Sequence, residues 1–509
     1  MHSNRDLTRR DFLKLASLAP FACLPNPLRR FPQNIQIGDA KNVIVLVFDA
    51  WSAEHVQFYG YPRQTMPNLE RFLERAAVYH NHYAAGTFTT PGTSSLLTGL
   101  YPWSHRAFSL GTAGITRERV NQNAFAVFAP THSTLAYTQN KFADILLCQM
   151  EDSITTHLRT GAFNAERRFL YNLPLFKNDA QVAFASLENN ILQHDLENDS
   201  SLFINPIYRI LKMNMQQAND RKFEKEYPLG LPDDTEQFLL GDTVDGAIAT
   251  LGSFAEPSFT YFHFYPPHEN YCPLGEFRGA FNGGWQADEK PIHCLSWGHK
   301  SYKELTRLNR DYDEYIASWD FEVSRIFQYL QDSGLMERSY VVVTADHGEL
   351  NERGERGHFS SMVFEPLIHV PLIIFDPSAS GRKDIHTPTS AVDVLPTLAY
   401  LAGLPIPEWA EGKLLPGFGG EENTSRSIYA MDAKTNASYS PISKGTISLM
   451  KYPWRLTYYK YPDNEQFEFY DLEHDPDELK DLYPSQLKEA QLMRDELLGA
   501  LEDVNGPFY

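Results

Sequence analysis

Asn42-Val43-Ile44-Val45-Leu46-Val47-Phe48-Asp49 is an unbroken apolar run, rich in β-branched residues, that ends on a carboxylate. A run of this kind, with no polar alternation, predicts a strand buried on both faces, as in a parallel sheet covered by helices. Asp49 then stands at the C-terminal end of the strand, where open α/β sheets present their ligands. The pattern recurs in Tyr340-Val341-Val342-Val343-Thr344-Ala345, which runs into Asp346 and His347, and again in Val370–Phe375. In Ser258–Phe264 it is followed by Tyr265-Pro266-Pro267-His268, whose prolines stop the strand and fix a turn that presents His268.

Helical patterns lie between these runs. One starts at Pro67, with Leu69, Phe72, Leu73 and Ala76 on one face, and leads to a short strand near Val78–Tyr83. A long one spans Asp311–Asp332, with Ile316, Trp319, Val323, Ile326, Phe327 and Leu330 on its buried stripe and Gly334 as its stop. Another covers Ser390–Ala402 and closes at Gly403. Strands and helices alternating at this spacing predict a doubly wound α/β sheet. Residues 148–252 read as a charged helical excursion from it. Past residue 420 the pattern turns to polar alternation and a final charged helix near Ser485–Leu501, which predicts a small antiparallel sheet with one helix. The expected organisation is therefore a leader over 1–30, an α/β domain over 40–420, and a C-terminal α+β subdomain over 421–509.

One stretch joins this scaffold to chemistry: Gly86-Thr87-Phe88-Thr89-Thr90-Pro91-Gly92-Thr93-Ser94-Ser95-Leu96-Leu97-Thr98-Gly99. Proline favours the first helical position, so a helix start is expected at Pro91, with Thr89 just outside it. The free N–H groups and dipole of such a terminus favour a phosphate or sulfate group, and also the alkoxide of a threonine attacking one.

The chain's net charge of −20 argues against nucleic acid as a partner. An acidic protein acting on an anionic ester needs a local positive centre, and a bound metal ion supplies one. Cys23, Cys148, Cys272 and Cys294 have no metal-finger or redox spacing, although a Cys272–Cys294 bridge is open to the chain in an oxidising compartment. No segment approaches the roughly eighteen uninterrupted apolar residues of a membrane-spanning helix.

At the N-terminus, Thr8-Arg9-Arg10-Asp11-Phe12-Leu13-Lys14, followed by the modestly apolar Leu15–Leu24, resembles the bacterial twin-arginine export signal. The resemblance implies passage through the twin-arginine translocase in the folded state, to the periplasm or beyond the cell. Export after folding suits a protein that acquires its metal in the cytoplasm. The leader lacks a clean Ala-x-Ala cleavage site, and Cys23 fits a lipid-anchoring pattern poorly.

Asp49, Thr89, Asp346 and His347 lie at strand ends or a helix start. Two carboxylates, an imidazole and a hydroxyl oxygen make a donor set for Mn²⁺, Ca²⁺, Mg²⁺ or Zn²⁺, and coordination would lower the threonine hydroxyl pKa.

Over nearly its whole length after the leader, the chain resembles the sulfatase branch of the alkaline phosphatase superfamily. The first strand with Asp49, the loop Phe58-Tyr59-Gly60-Tyr61, Thr65–Leu69, the Thr89–Gly99 helix, Pro266–Tyr271, Thr344–Glu349 and Leu472–Glu478 carry the likeness in order. It implies an alkaline phosphatase-like, mostly parallel sheet with a smaller C-terminal α+β subdomain, and a metal held by Asp49, Thr89, Asp346 and His347. By the same resemblance His268 and His358 are catalytic, and Asn140 or Lys141 supplies a further polar contact.

The departures from the family pattern carry as much weight. Sulfatases of the formylglycine type have Cys-x-Pro-x-Arg or Ser-x-Pro-x-Arg, whereas Thr89, Pro91 and Thr93 stand at those positions here. Threonine cannot be converted to that aldehyde, so no formylglycine is expected. Ala50 replaces a second acid after Asp49, which implies one divalent ion, with manganese or calcium placed ahead of magnesium or zinc. The resulting expectation is an exported, metal-dependent hydrolase of phosphate or sulfate esters, phosphorus favoured, with Thr89 as nucleophile. A headgroup phosphotransferase and a catalytically inactive binder of anionic ligands are the alternatives.

Overall fold

The structure is a computed structural model that describes residues 40–109, 114–163, 205–234, 237–462 and 464–508. The twin-arginine signature and Cys23 lie outside the described residues. The strands, in chain order, are β1 (Asn42–Phe48), β2 (Ala76–Tyr79), β3 (His82–Tyr83), β4 (Ser133–Thr138), β5 (Thr156–Leu158), β6 (Ser258–Phe264) and β7 (Ser339–Thr344). They continue with β8 (Leu372–Phe375), β9 (Lys383–Ile385), β10 (Thr389–Ser390), β11 (Ile428–Asp432), β12 (Gly445–Lys451), β13 (Trp454–Tyr461) and β14 (Asn464–Asp471).

Eight of them form one sheet in the order β5-β4-β6-β1-β7-β8-β2-β9. β1 lies at its centre, parallel to β6 on one side and β7 on the other. Every residue of β1 is buried, and its side chains divide by parity between two layers. Ile44, Leu46 and Phe48 pack with Tyr315, Ile316 and Trp319 of the long helix, whereas Val43, Val45 and Val47 pack with Leu96, Leu97, Leu146 and Leu398. This two-sided burial is the physical reason the run has no polar alternation.

β8 is the exception to parallel pairing: it runs antiparallel to both β7 and β2. The C-terminal sheet, β11-β12-β13-β14, is antiparallel throughout and is backed by the helix Lys488–Asn505. The mixed α/β body with a mostly parallel central sheet and a C-terminal antiparallel subdomain is the expected fold class.

Several local expectations are corrected. The long helix begins at Tyr302, nine residues before Asp311, because Ser301 and Glu304 close a reciprocal capping box. The helix expected at Pro91 begins at Thr89, so Thr89 is its first residue and the proline sits inside the first turn, where its missing N–H has no intrahelical partner to lose. Ala76, read as helical, opens β2, and Thr156–Leu158, inside the segment read as helical, is an edge strand paired with β4. The Ser390–Ala402 helix opens with a 3-10 turn over Ala391–Asp393 before Val394–Leu401. Cys148, Cys272 and Cys294 are free thiols, so no Cys272–Cys294 bridge forms. Among the described residues no helix is long and apolar enough to cross a membrane.

Candidate active site

The three central parallel strands set the floor of the site. Asp49 follows β1, and its N–H donates to Phe264 O at 3.0 Å, which ties it to the end of β6. Asp346 and His347 follow β7, which is in register with β1 through the pair Val47 and Thr344. Asp49, Asp346 and His347 are fully buried, and each offers a donor atom such that all lie within 4.8 Å of one another.

Thr89 enters from the side, on the first turn of its helix. Its Oγ1 lies 3.5 Å from His347 Nε2 and accepts from Asn140 Nδ2 at 3.1 Å. Gly92 explains how the helix comes so close: a Cβ built there would meet Asp346 O at 2.1 Å. Thr93 donates to Asp346 Oδ2 at 3.3 Å.

Asn140 caps the helix Lys141–Gln149 with its Oδ1, which accepts from the N–H groups of Phe142 and Ala143. Its Nδ2 is thereby aimed at the site, where it donates to Asp49 Oδ2 at 2.6 Å as well as to Thr89. Lys141 points elsewhere and pairs with Asp234 at 3.5 Å.

His268 is presented by a turn in which its N–H donates to Tyr265 O at 2.9 Å. The ring of His358, carried forward by the loop after β7, lies 4.8 Å from the His268 ring and 4.5 Å from the His347 ring. All seven side chains singled out in the sequence, Asp49, Thr89, Asn140, His268, Asp346, His347 and His358, therefore occupy one region. A separate cavity of about 510 Å³, with Tyr61, Trp285, Tyr302 and Asn309 in its wall, contains none of them.

Sequence reading missed three buried members. His263 is the penultimate residue of β6, inside a run read as apolar and aromatic, with Nε2 3.2 Å from Asp49 Oδ2 and 3.7 Å from Asp346 Oδ2. Glu349 accepts or shares a proton with His358 Nδ1 at 3.2 Å through Oε1. Lys434, just after β11 and some seventy residues beyond the nearest site residue in the chain, donates from Nζ to His358 O at 3.2 Å. The signal for Glu349 was available in Asp346-His347-Gly348-Glu349, since the same turn that presents the aspartate and histidine returns the glutamate to the site.

The electrostatics are those of a cation site. Burial alone would raise the Asp49 carboxyl, but His268, His263 and His347 hold it well below the usual carboxylate range. Burial and then the neighbouring Asp49 charge raise Asp346. His347 would be lowered by burial, yet Asp346 and Asp49 push it up to about 9. His358 is held well below the ordinary imidazole range by burial and then by the other two histidines.

A divalent cation fits this set. Asp49 Oδ1 is buried without a hydrogen-bond partner. His347 Nδ1 donates to Gly348 O at 2.8 Å, so Nε2, 3.4 Å from Asp49 Oδ1, is the nitrogen that a cation would take in place of its proton. Two carboxylates, one imidazole and a hydroxyl suit a hard to borderline ion.

The fold is that of an α/β protein of the alkaline phosphatase-like class, with the candidate site at the C-terminal edge of the parallel strands. Residues 41–139 and 202–404 match the sulfatase family model, and 354–505 match that of the N-sulphoglucosamine sulphohydrolase C-terminal region. The chain belongs to the sulfatase family. It is 24% identical over 456 residues to choline-sulfatase of Rhizobium meliloti (strain 1021), covering 82% of this chain and 77% of that protein. It is 31% identical over 206 residues to arylsulfatase K of Xenopus laevis, but that match spans only 40% of this chain and 38% of the relative. Among solved structures, the phosphonate monoester hydrolase of Agrobacterium radiobacter superposes with a TM-score of 0.64 at 16% identity, covering 92% of this chain and 96% of that one.

Proposed function

We propose that the protein is a metal-dependent hydrolase of anionic phosphate or sulfate esters, phosphorus favoured, in which Thr89 is the nucleophile. The observation that carries this reading is the position of Thr89 Oγ1: on the first turn of a helix, beside Asn140 Nδ2 and His347 Nε2 and against the Asp49–Asp346 pair. Asp49, Thr89, Asp346 and His347 would hold one divalent ion, manganese or calcium foremost. When bound, it lowers the threonine hydroxyl pKa and screens charge on the ester.

In this scheme Thr89 loses its proton to water and attacks the central phosphorus or sulfur in line. The new bond to Oγ1 forms as the bond to the leaving oxygen breaks. His268 gives a proton to the departing alkoxide, and His358 with Asn140 stabilises charge on the non-bridging oxygens. A water then gives a proton to the now neutral His268 and attacks the same centre, the bond to Oγ1 breaks, and the departing threonine oxygen takes a proton from solvent, which restores both Thr89 and His268. Thr89 favours phosphorus because a threonine ester of phosphate is formed by direct displacement, with no aldehyde required. The Thr8–Lys14 signature supports export through the twin-arginine translocase, to the periplasm or outside the cell.

The test is to measure bound metal in the purified protein and to assay aryl phosphate monoesters, phosphodiesters, phosphonates and sulfates. Turnover with a covalent adduct on Thr89, seen by mass spectrometry and lost in Thr89→Ala, is expected. No turnover of any of the four by metal-loaded protein rejects the hydrolase, and full activity in Thr89→Ala rejects the nucleophile.

A further inference from the structure

We propose that Lys434 is a positioning residue that fixes His358, so that the C-terminal subdomain completes the catalytic site. The inference rests on the reading of His358 as a site residue given above.

Lys434 follows β11, the first strand of the C-terminal sheet, and is only 4% exposed. Its Nζ donates to three consecutive backbone carbonyls, His358 O at 3.2 Å, Phe359 O at 2.9 Å and Ser360 O at 3.0 Å. An ammonium has three N–H groups, and three successive carbonyls turned toward it fix the backbone of residues 358–360 and hence the direction of the His358 ring. That segment has no helix or strand of its own to do so. The loop leading to it passes through left-handed backbone at Arg353, Gly354 and Gly357, with φ of 55°, 80° and 68°.

Asp432 supplies the countercharge. Asp432 Oδ2 lies 2.9 Å from Nζ and accepts the Thr87 hydroxyl at 2.9 Å, two residues before Thr89. Met431 N–H donates to Ala85 O at 2.9 Å, so β11 is docked along the run that enters the nucleophile helix. A single buried ion pair thus links the two chain segments that carry Thr89 and His358. Packing alone would not call for it, since an apolar side chain of similar length fills the same space without the desolvation of a buried ammonium.

The experiment uses the full-length, metal-loaded protein with Lys434→Met, His358→Ala and the double variant, assayed on an aryl ester that the wild type turns over. Lys434→Met is expected to lower kcat about 10–100-fold, the scale of lost charge-assisted hydrogen bonds, with KM within about threefold. In the His358→Ala background it is expected to lower kcat no further. Hydrogen exchange of a peptide covering 356–362 should quicken in Lys434→Met, with peptides from β12 and β13 unchanged. A further loss of about tenfold in the His358→Ala background, or unchanged exchange over 356–362, overturns the proposal. If the wild type turns over no ester, the hydrolase reading fails by itself, and the exchange measurement alone decides whether Lys434 holds the segment.

Discussion

Ser95 Oγ and His105 Nε2 lie 3.0 Å apart in the interior, joining the helix that carries Thr89 to the turn that follows it. The other ring nitrogen, Nδ1, accepts the N–H of Ala107 at 3.0 Å. The neutral imidazole is therefore fully satisfied, and a second proton would set an N–H against the Ala107 N–H.

Burial pushes the His105 pKa down to about 3. A histidine depressed in the folded state contributes stability that is complete above its unfolded pKa of about 6.5 and is lost as pH falls from there toward 3. At pH 4.5 the loss is about 2–3 kcal/mol for this one residue. Urea denaturation of wild type and His105→Gln between pH 4.5 and 8 checks it. The variant starts less stable at pH 8 and shows a flatter decline; parallel curves would mean that His105 takes up its proton without unfolding.

Gly92 is expected to tolerate no side chain. With Asp346 O at 2.1 Å from an added Cβ, Gly92→Ala must move either the helix or the backbone after β7. Overpacking of this sort destabilises by about 1–3 kcal/mol. Because the displaced helix carries Thr89, ester turnover should fall by more than the loss in thermal stability accounts for. Activity assayed well below the melting temperature separates the two effects.

Asn140 donates to both Asp49 and Thr89, so its removal strikes the proposed metal ligand and the proposed nucleophile together. Asn140→Ala should lower kcat/KM about 10–100-fold, as expected for hydrogen bonds to charged groups. Asn140→Asp should be worse, since it sets a third carboxylate within 2.6 Å of Asp49 Oδ2. Steady-state kinetics of the two variants with matched metal content reads this order; Asn140→Asp as the more active of the two would contradict it.

Chelation should destabilise the protein as well as silence it. The buried Asp49–Asp346 pair repels itself without a cation, and a ligand at about a thousand times its Kd adds roughly 4 kcal/mol to the folded state. Melting temperatures after dialysis against a chelator, and after return of manganese or calcium, should fall and recover. Asp346→Asn should show a much smaller response to the metal.

The central strands and their terminal acids were legible because burial on both faces writes itself into sequence as uninterrupted apolar runs. Asp49 and Asp346 stand out against Val43–Phe48 and Tyr340–Ala345 for that reason. Asn140 was readable only as a polar residue after a strand; that one amide both caps a helix and reaches the site depends on how β4 sits beside β6. His263 was hidden because an aromatic run with a histidine in it reads as core, and only register with Val47 and Thr138 brings it beside Asp49. Lys434 leaves no local signature at all. Its partners are backbone carbonyls more than seventy residues away, and nothing in Met431-Asp432-Ala433-Lys434 distinguishes them from an exposed charged pair.

The same long-range logic governs the attachment of the C-terminal sheet. Arg455 on β13 is fully buried and pairs with Glu365 of the main body and with Glu478, the latter at 3.1 Å. Glu478 also accepts the Glu365 N–H at 3.0 Å, so the triad ties the sheet to the segment just before β8. Burial tends to raise the Glu478 carboxyl, and Arg455 opposes that rise. Arg455→Met leaves two carboxylates buried without their cation, which should destabilise by about 3–5 kcal/mol. Replacing the acids as well, in Arg455→Met/Glu365→Gln/Glu478→Gln, should recover a large part of that loss, because the desolvated charges are gone together. Denaturation of the wild type, single and triple variants measures the difference. A triple variant no more stable than Arg455→Met would show that the arginine acts through its packing rather than its charge.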